Sequence, residues 1–502
     1  MTCKLEFRAE SGMIGEGDLN MAIESFVHAE NTIVVSDIHL ADAEPPYLHH
    51  PLWKEFKRPK HFIDSSFRSF LEYVQTTIPS AIELVFNGDI FDFDSVMELP
   101  ANSSFNLSWL EKIRGLNSEE EKSRFKIKVI LDAHPVWVSA LKNFMEAGHR
   151  VIFVIGNHDL ELHWPSVQAD IFNRLGLAET HRTQMRFCEW FYISNKDTLI
   201  EHGNQYDAYC LCSNPIHPLV RKGSRVMVRL PFGNLAGKYM VNGMGLMNPH
   251  ATASYIKSSM WEYIRFYYRY MMRAQPFLLW TWFWSALVTL FQSLREGFLP
   301  AMKDPLTVDA RIENIAEKSN ASVLVVLALK EVHVHPAIFD PFKILRELWL
   351  DRAILLGLIV GGSFQFFSVL QIFSRVSFWW FVVPVALLMP AFIFYARTVQ
   401  SEVDTSEKTV MELGPLTAKI AKVKMLVHGH THFEGHRSYS GVEVLNTGTW
   451  SPAYHDVECT QPYGRKCFAW IRRTPESLPT DSRIGELYEW NGKEPIRMSS
   501  SS

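Results

Sequence analysis

The chain has 502 residues, 47% of them hydrophobic and 21% charged, enough apolar matter for more than one core and too much for wholesale disorder. A formal net charge of −4 gives no global attraction to nucleic acid, and no nucleic-acid partner is expected. The six cysteines, at 3, 188, 210, 212, 459 and 467, form no CxxC framework, which excludes a zinc ribbon and, in so long a chain, fits a reducing compartment. The N-terminus (1–30, read as an extension) lacks an apolar stretch behind a basic start, so a secretory signal is not expected.

In chain order, short β-rich runs predict buried strands at 32–35, 82–86, 151–155 and 198–200, with helices near 65–74 and 136–147 between them. This alternation is the rhythm of a layered α/β domain, here over 31–215. Further strands are predicted at 425–427, 442–445 and 467–471, so the same domain resumes over 416–475. From about Glu476 to the four final serines the chain reads as a frayed tail, 476–502.

Every polar cluster follows a strand directly. The first run ends at Asp37 and His39, the second at Asp89, the third at Asn157-His158-Asp159, the fourth at His202, and the fifth at His428-Gly429-His430-Thr431-His432. Ligands of α/β sheets bind beyond the carboxyl ends of the strands, so five strand ends are expected to deliver these groups to one edge. Asp-x-His and Gly-Asp are weak signals singly. Three imidazoles on alternate residues of a turn are a strong one, because histidine is the commonest metal ligand. Carboxylates, an amide oxygen and imidazoles form a mixed oxygen and nitrogen set suited to Mn, Fe or Zn. Asp89 could bridge two such ions about 3.5–4 Å apart, an arrangement used for displacement at phosphorus.

Between the fourth and fifth clusters, 216–415 is far longer than a strand connection and predicts an insert, mostly helical. Residues 216–277 carry nine Lys/Arg (221, 222, 225, 229, 238, 257, 265, 269, 273) against Glu262 alone. Arg265, Arg269 and Arg273 share a helix face beside Trp261, Phe266, Tyr267, Tyr270 and Met271, a composition suited either to an anionic membrane surface or to a solvated face over a soluble core. Residues 353–373 and 376–396 are charge-free and about 21 residues long, enough to span a ~30 Å hydrocarbon core as a hairpin over 353–396. Lys343, Arg346, Arg352 and Arg397 flank its open end against Arg375 at its tip, which predicts a membrane protein with its catalytic domain on the cytoplasmic face. Asp89 and His432 must share one site, so the chain between them crosses an even number of times. The shorter apolar run at 276–291 is therefore expected in the interface or in a lid.

The blocks Asp37/His39, Gly88-Asp89-Ile90-Phe91-Asp92, Gly156-Asn157-His158-Asp159, His202 and Gly429-His430-Thr431-His432 resemble, in order, those of the calcineurin-like metallophosphoesterase family. The resemblance implies a layered α-β-β-α sandwich holding two divalent ions, with Mn favoured and Fe or Zn as alternatives. Asp37, His39, Asp89 and His432 would hold one ion, and Asp89, Asn157, His202 and His430 the other. A hydroxide bridging them would attack phosphorus, with His158 as general acid or cationic clamp. Asp92 would orient His158 or simply cap a helix. His163, Asn204 and His436 are candidate substrate contacts, with solvated loop residues as the plain alternative. Asp207 could line the same cleft, and His428 fits a supporting or turn role.

Parts of these blocks look like the bacterial UDP-diacylglucosamine pyrophosphohydrolase branch, although that branch usually carries Arg at the position of His158 and lacks so large an insert. The expected activity is hydrolysis of a phosphoester or pyrophosphate, with a phosphorylated small molecule or a lipid-linked compound as substrate and membrane lipid as partner. The alternatives are an anchored phosphatase of soluble nucleotides or phosphoproteins, and a non-catalytic binding module on the same fold.

Overall fold

The computed structural model describes residues 28–47, 49–101, 105–245, 277–302, 305–398, 406–473 and 483–499, together with Phe26, Arg265, Tyr268 and Arg269. Its strands are β1 Asn31–Val35, β2 Ile82–Asn87, β3 Arg150–Val154, β4 Met185–Cys188, β5 Phe191–Ser194, β6 Thr198–Glu201, β7 Leu219–Lys222, β8 Arg225–Val228, β9 Met425–His428, β10 Gly435–Tyr439, β11 Val442–Asn446, β12 Ala453–Tyr454, β13 Pro462–Tyr463, β14 Cys467–Arg473, β15 Arg483–Trp490 and β16 Pro495–Arg497. The principal helices are α1 Asp64–Thr77, α2 Glu120–Ala133, α3 Pro135–Glu146, α4 Pro165–Leu175, α5 Leu278–Phe298, α6 Pro305–Lys318, α7 Val323–Lys330, α8 Pro341–Glu347, α9 Leu350–Phe373, α10 Trp379–Thr398 and α11 Ser406–Ala421.

The strands form a seven-stranded sheet, β16-β15-β14-β1-β2-β3-β4, and a five-stranded sheet, β10-β11-β9-β6-β5. Alternation along each strand sorts its side chains between two layers. Ile33, Val35, Leu84, Phe86, Val151 and Phe153 pack with α1, α3 and α4, whereas Val34, Val85, Ile152 and Val154 meet Ile200, Val427 and Leu445 of the other sheet. The outer face of the second sheet, through Leu199, Leu426 and Val444, is covered by Ile315 of α6, Leu329 of α7 and Val410 of α11. The layers therefore run helix, sheet, sheet, helix. The strand ends that carry the polar clusters are shared between the two sheets, β1, β2 and β3 in one and β6 and β9 in the other, not gathered along a single sheet edge.

The C-terminal stretch overturns an expectation. Within the stretch expected to fray, residues 483–490 form β15, paired antiparallel with β14 from Cys467↔Glu489 to Arg473↔Arg483, and the chain continues into β16. Leu487 fills the space between the sheets, while Tyr488 and Trp490 pack on the helical side. Arg483 is buried and ion-paired with Asp197 at 2.5 Å. These contacts supply the burial that holds a terminal strand in place.

The insert is largely helical and also carries the β7–β8 hairpin. Of the proposed basic helix only Arg265 and Arg269 are described; Arg273, Trp261, Phe266, Tyr267, Tyr270 and Met271 lie outside the described residues. Residues 278–291 of the apolar run form most of α5, which buries Ser285, Ala286, Thr289 and Ser293 and exposes Leu279, Trp280, Trp284 and Phe291. Helices α9 and α10 pack on each other and are long and apolar enough to cross a membrane, with mean hydropathies of 2.0 and 1.9. Helix α10 runs on through Pro384 and Pro390.

Candidate metal centre

Each cluster leaves its strand through a sharply turned backbone. Asp37, His39, Asp89, His430 and His432 all have left-handed φ values, from 53° to 66°. Asp and His tolerate this region better than most residues, yet such conformations are costly and gather at functional sites. The turns are stitched together by backbone bonds: Asp37 N donates to Gly88 O at 3.1 Å and His39 N to Asp89 O at 2.9 Å. Gly88, at φ 78°, is needed for closeness as well as conformation, since a Cβ there would stand 2.3 Å from His202 Nδ1.

The side chains converge in two groups. Asp37, His39 and His432 place ligand atoms within 4.8 Å of one another, and so do Asp89, His202 and His430. In the first, His432 Nε2 lies 3.2 Å from Asp37 Oδ1 and 3.3 Å from His39 Nε2. In the second, His202 Nε2 lies 3.2 Å from Asp89 Oδ2 while its Nδ1–H donates to Asn87 O at 2.9 Å, leaving Nε2 as the ligating atom. Asp89 also groups with His39 and His158, which joins the two halves. Asn157 is buried; its backbone O accepts from Nδ2 of Asn234 of the insert at 2.7 Å, and its side-chain Nδ2 donates to Asn234 Oδ1 at 3.4 Å.

Electrostatics follows from burial opposed by charge. Burial would raise the Asp89 carboxyl, but His202, His158 and His39 hold it well below its ordinary range, so it is ionised. Burial would lower His202, yet Asp89 and Asp37 lift it to about 9. His158 is likewise opposed by burial and lifted to about 10 by Asp89, Asp92 and Asp94. The imidazolium charges stand where divalent cations would otherwise neutralise the carboxylates, so metal binding would release protons.

His158 Nδ1 faces Asp92 Oδ1 at 3.3 Å and Asp94 Oδ2 at 3.8 Å. Asp92 Oδ1 also accepts from Ser95 N at 3.1 Å, so the orienting and capping roles coexist in one carboxylate. Asp159 binds the second and third turns together by accepting from Ile90 N and Gly156 N. Asp207 stands 3.0 Å from His430 Nε2, leaving Nδ1 as that ring's free ligating nitrogen. Sequence reasoning noted Asp207 only by its nearness to His202, and it missed Asn234, for which no local signal exists.

The remaining candidates are dispersed. His163 and Asn204 line one cavity with Trp190, Gln205 and Leu329. His163 Nε2 is buried, and burial, with Arg311 and Lys318 nearby, pushes the ring down to about 3, so it is neutral. His436 sits on β10, its Nε2 2.8 Å from Glu443 on β11. His428 is buried, with Nδ1 3.2 Å from Gly429 O. A second cavity opens beside His39 and Asp92.

The donors present fit divalent metal ions. Asn157 Oδ1 is buried without a hydrogen-bond partner among the described residues, a costly state that a cation relieves. Buried carboxylates and imidazoles brought together on left-handed turns form a candidate metal centre. Residues 31–225 match the family model described as calcineurin-like phosphoesterase. The chain therefore carries a calcineurin-like phosphoesterase domain and is a hydrolase acting on phosphoester bonds. The match ends before His430 and His432, which the fold restores to the same site. No curated protein matches the chain.

Proposed function

We propose that the protein is a membrane-associated phosphoesterase with a dinuclear centre facing the cytosol, and that its substrate is a lipid-linked phosphoester or pyrophosphate. The observation that carries the dinuclear reading is the position of Asp89, within 4.8 Å of His39 on one side and of His202 and His430 on the other. Asp37, His39, Asp89 and His432 would hold one ion, and Asp89, Asn157, His202 and His430 the second. When bound, such ions, with Mn the favoured metal, supply Lewis acidity toward phosphoryl oxygens and toward water. His158 donates a proton to the leaving oxygen or neutralises its charge, and Asp92 holds the imidazole in position.

The membrane part of this reading rests on the hairpin. Leu358, Phe366, Phe373, Leu387 and Phe394 of α9 and α10 are exposed to solvent, and removing such a side chain from water is worth about 1.5–3 kcal/mol. The tip, Arg375, would lie across the bilayer, while the aromatic face of α5 would rest at the headgroup level.

The test uses the full chain in lipid nanodiscs, stripped of metal and reloaded with Mn, Fe or Zn. It is assayed against p-nitrophenyl phosphate, bis(p-nitrophenyl) phosphate and a polyprenyl-linked pyrophosphate. Metal-dependent turnover of the lipid compound in preference to the soluble esters is expected. Turnover of soluble esters alone removes the lipid assignment, and no turnover with any metal removes the catalytic one.

A further inference from the structure

Beside the second half of the metal centre stands a further group of ligand type. Asp207, Cys210 and His430 place ligand atoms within 4.8 Å of one another. Asp207 and Cys210 lie three residues apart on a turn closed by Cys210 N, which donates to Asp207 O at 3.2 Å. Asp207 is buried, its Oδ1 accepting from Tyr209 N at 2.8 Å and its Oδ2 lying 3.0 Å from His430 Nε2. Cys210 is held from two sides. Asn204 Nδ2 donates to its carbonyl oxygen at 3.2 Å, and Gly233 of the insert packs so closely that a Cβ there would stand 2.6 Å from Cys210 Sγ. The thiol has no part in the oxygen and nitrogen set assigned to the catalytic ions. A thiolate, a carboxylate and an imidazole at this spacing suit a zinc ion that keeps its fourth position for water.

We propose that Asp207, Cys210 and His430 form an inhibitory zinc site, at which a thiophilic ion takes His430 away from the catalytic centre. A neutral imidazole has a single lone-pair nitrogen, so one ring serves one ion at a time. Zinc on Cys210 and Asp207 captures the ring through Nε2, the nitrogen that faces Asp207. The thiol proton then leaves to solvent and the imidazole proton moves from Nε2 to Nδ1, which removes Nδ1 from the catalytic ligand set. The same zinc occupies the carboxylate that orients the ring. Mn is harder and stays with oxygen and nitrogen, whereas zinc is drawn to the thiolate. The inhibition rests on the phosphoesterase reading above; the zinc site itself does not.

The test adds zinc, equimolar with protein, to the Mn-loaded full chain in nanodiscs and follows hydrolysis of p-nitrophenyl phosphate. Wild-type turnover should fall at least about tenfold, the lower bound for a metal ligand that loses its orienting partner. Cys210→Ser should keep its Mn-dependent turnover with the same zinc present. Two readouts need no activity. Cobalt in place of zinc should give the wild type a thiolate-to-cobalt charge-transfer band in the near ultraviolet that Cys210→Ser lacks. Zinc-edge X-ray absorption of the wild type, which needs no variant, should show one sulfur about 2.3 Å from the ion. A zinc shell without sulfur, or a cobalt band that persists in Cys210→Ser, overturns the site. Equal zinc inhibition of both proteins, the result of exchange at the catalytic ions alone, or undiminished wild-type turnover overturns the inhibitory role. Absence of turnover before zinc is added overturns the phosphoesterase reading, while the two spectroscopic measurements still decide the site.

Discussion

His202 Nε2 stands 3.2 Å from Asp89 Oδ2, although the two residues leave different sheets. The contact exists only when the seven-stranded and five-stranded sheets are packed in register, so the integrity of the metal centre reports on the inter-sheet core built from Val85, Ile200 and Val427.

Replacing Asp89 by Asn removes the anionic oxygen that both halves of the centre share. Metal content per chain, measured by mass spectrometry of the purified protein, should fall. Mn-dependent hydrolysis of p-nitrophenyl phosphate should fall at least about a hundredfold, since even residues that merely orient ligands cost 10–100-fold. Full metal occupancy in Asp89→Asn would contradict the shared-ligand assignment.

His158 and Asp92 should separate by degree. His158→Ala is expected to lower kcat by about 10²–10⁴ with little change in bound metal, the usual range for a lost acid-base group. Asp92→Asn should cost about 10–100-fold, because it leaves the imidazole present and only loosens its hold. The comparison is made on an ester with a poor leaving group, which depends most on a proton donor. If the two variants retain wild-type kcat there, proton delivery by His158 is wrong.

Gly88→Ala forces a methyl group against the His202 ring in a left-handed backbone. Overpacking of this kind costs about 1–3 kcal/mol, to be read from denaturant unfolding, and metal affinity should drop with it because His202 must shift. A variant with unchanged unfolding midpoint and metal content would refute the tight packing.

His163 supplies a pH dependence of stability. Burial first, then Arg311 and Lys318, depress its folded pKa to about 3, against about 6.5 in an unfolded chain. The unfolded state therefore takes up a proton that the native state refuses. The native state has its full advantage above pH ~6.5 and loses it as the pH falls toward ~3, by up to about 2 kcal/mol at pH ~5. His163→Gln should flatten that slope in denaturant titrations between those limits. An identical slope in the variant would show that the native ring accepts the proton.

The candidate ligand set was legible because strands ending in Asp, Asn or His are visible as a change from β-rich runs to polar turns. What the residues did not disclose is how the turns are held. Asn234 and Asp207 reach Asn157 and His430 from segments whose local pattern shows only short polar loops, and their partners are set by tertiary packing. The terminal strand β15 was missed because Gly485, Glu486 and Glu489 break its apolar alternation, and the strand is secured by Arg483, Leu487 and Trp490 only after β14 exists to receive it. The left-handed turns at five ligand positions also leave no trace in residue type, because Asp and His are equally at home in ordinary loops.

The insert leaves the domain just after β6 and returns at β9, and these two strands are parallel neighbours, locked further by the hydrogen bond from Gly429 N to His202 O at 2.9 Å. The strands that flank the insert in sequence thus end at His202 and run into His430. The pairing of β6 with β9 is therefore what sets the His202 and His430 rings 5.2 Å apart, whatever length of chain loops out between those strands.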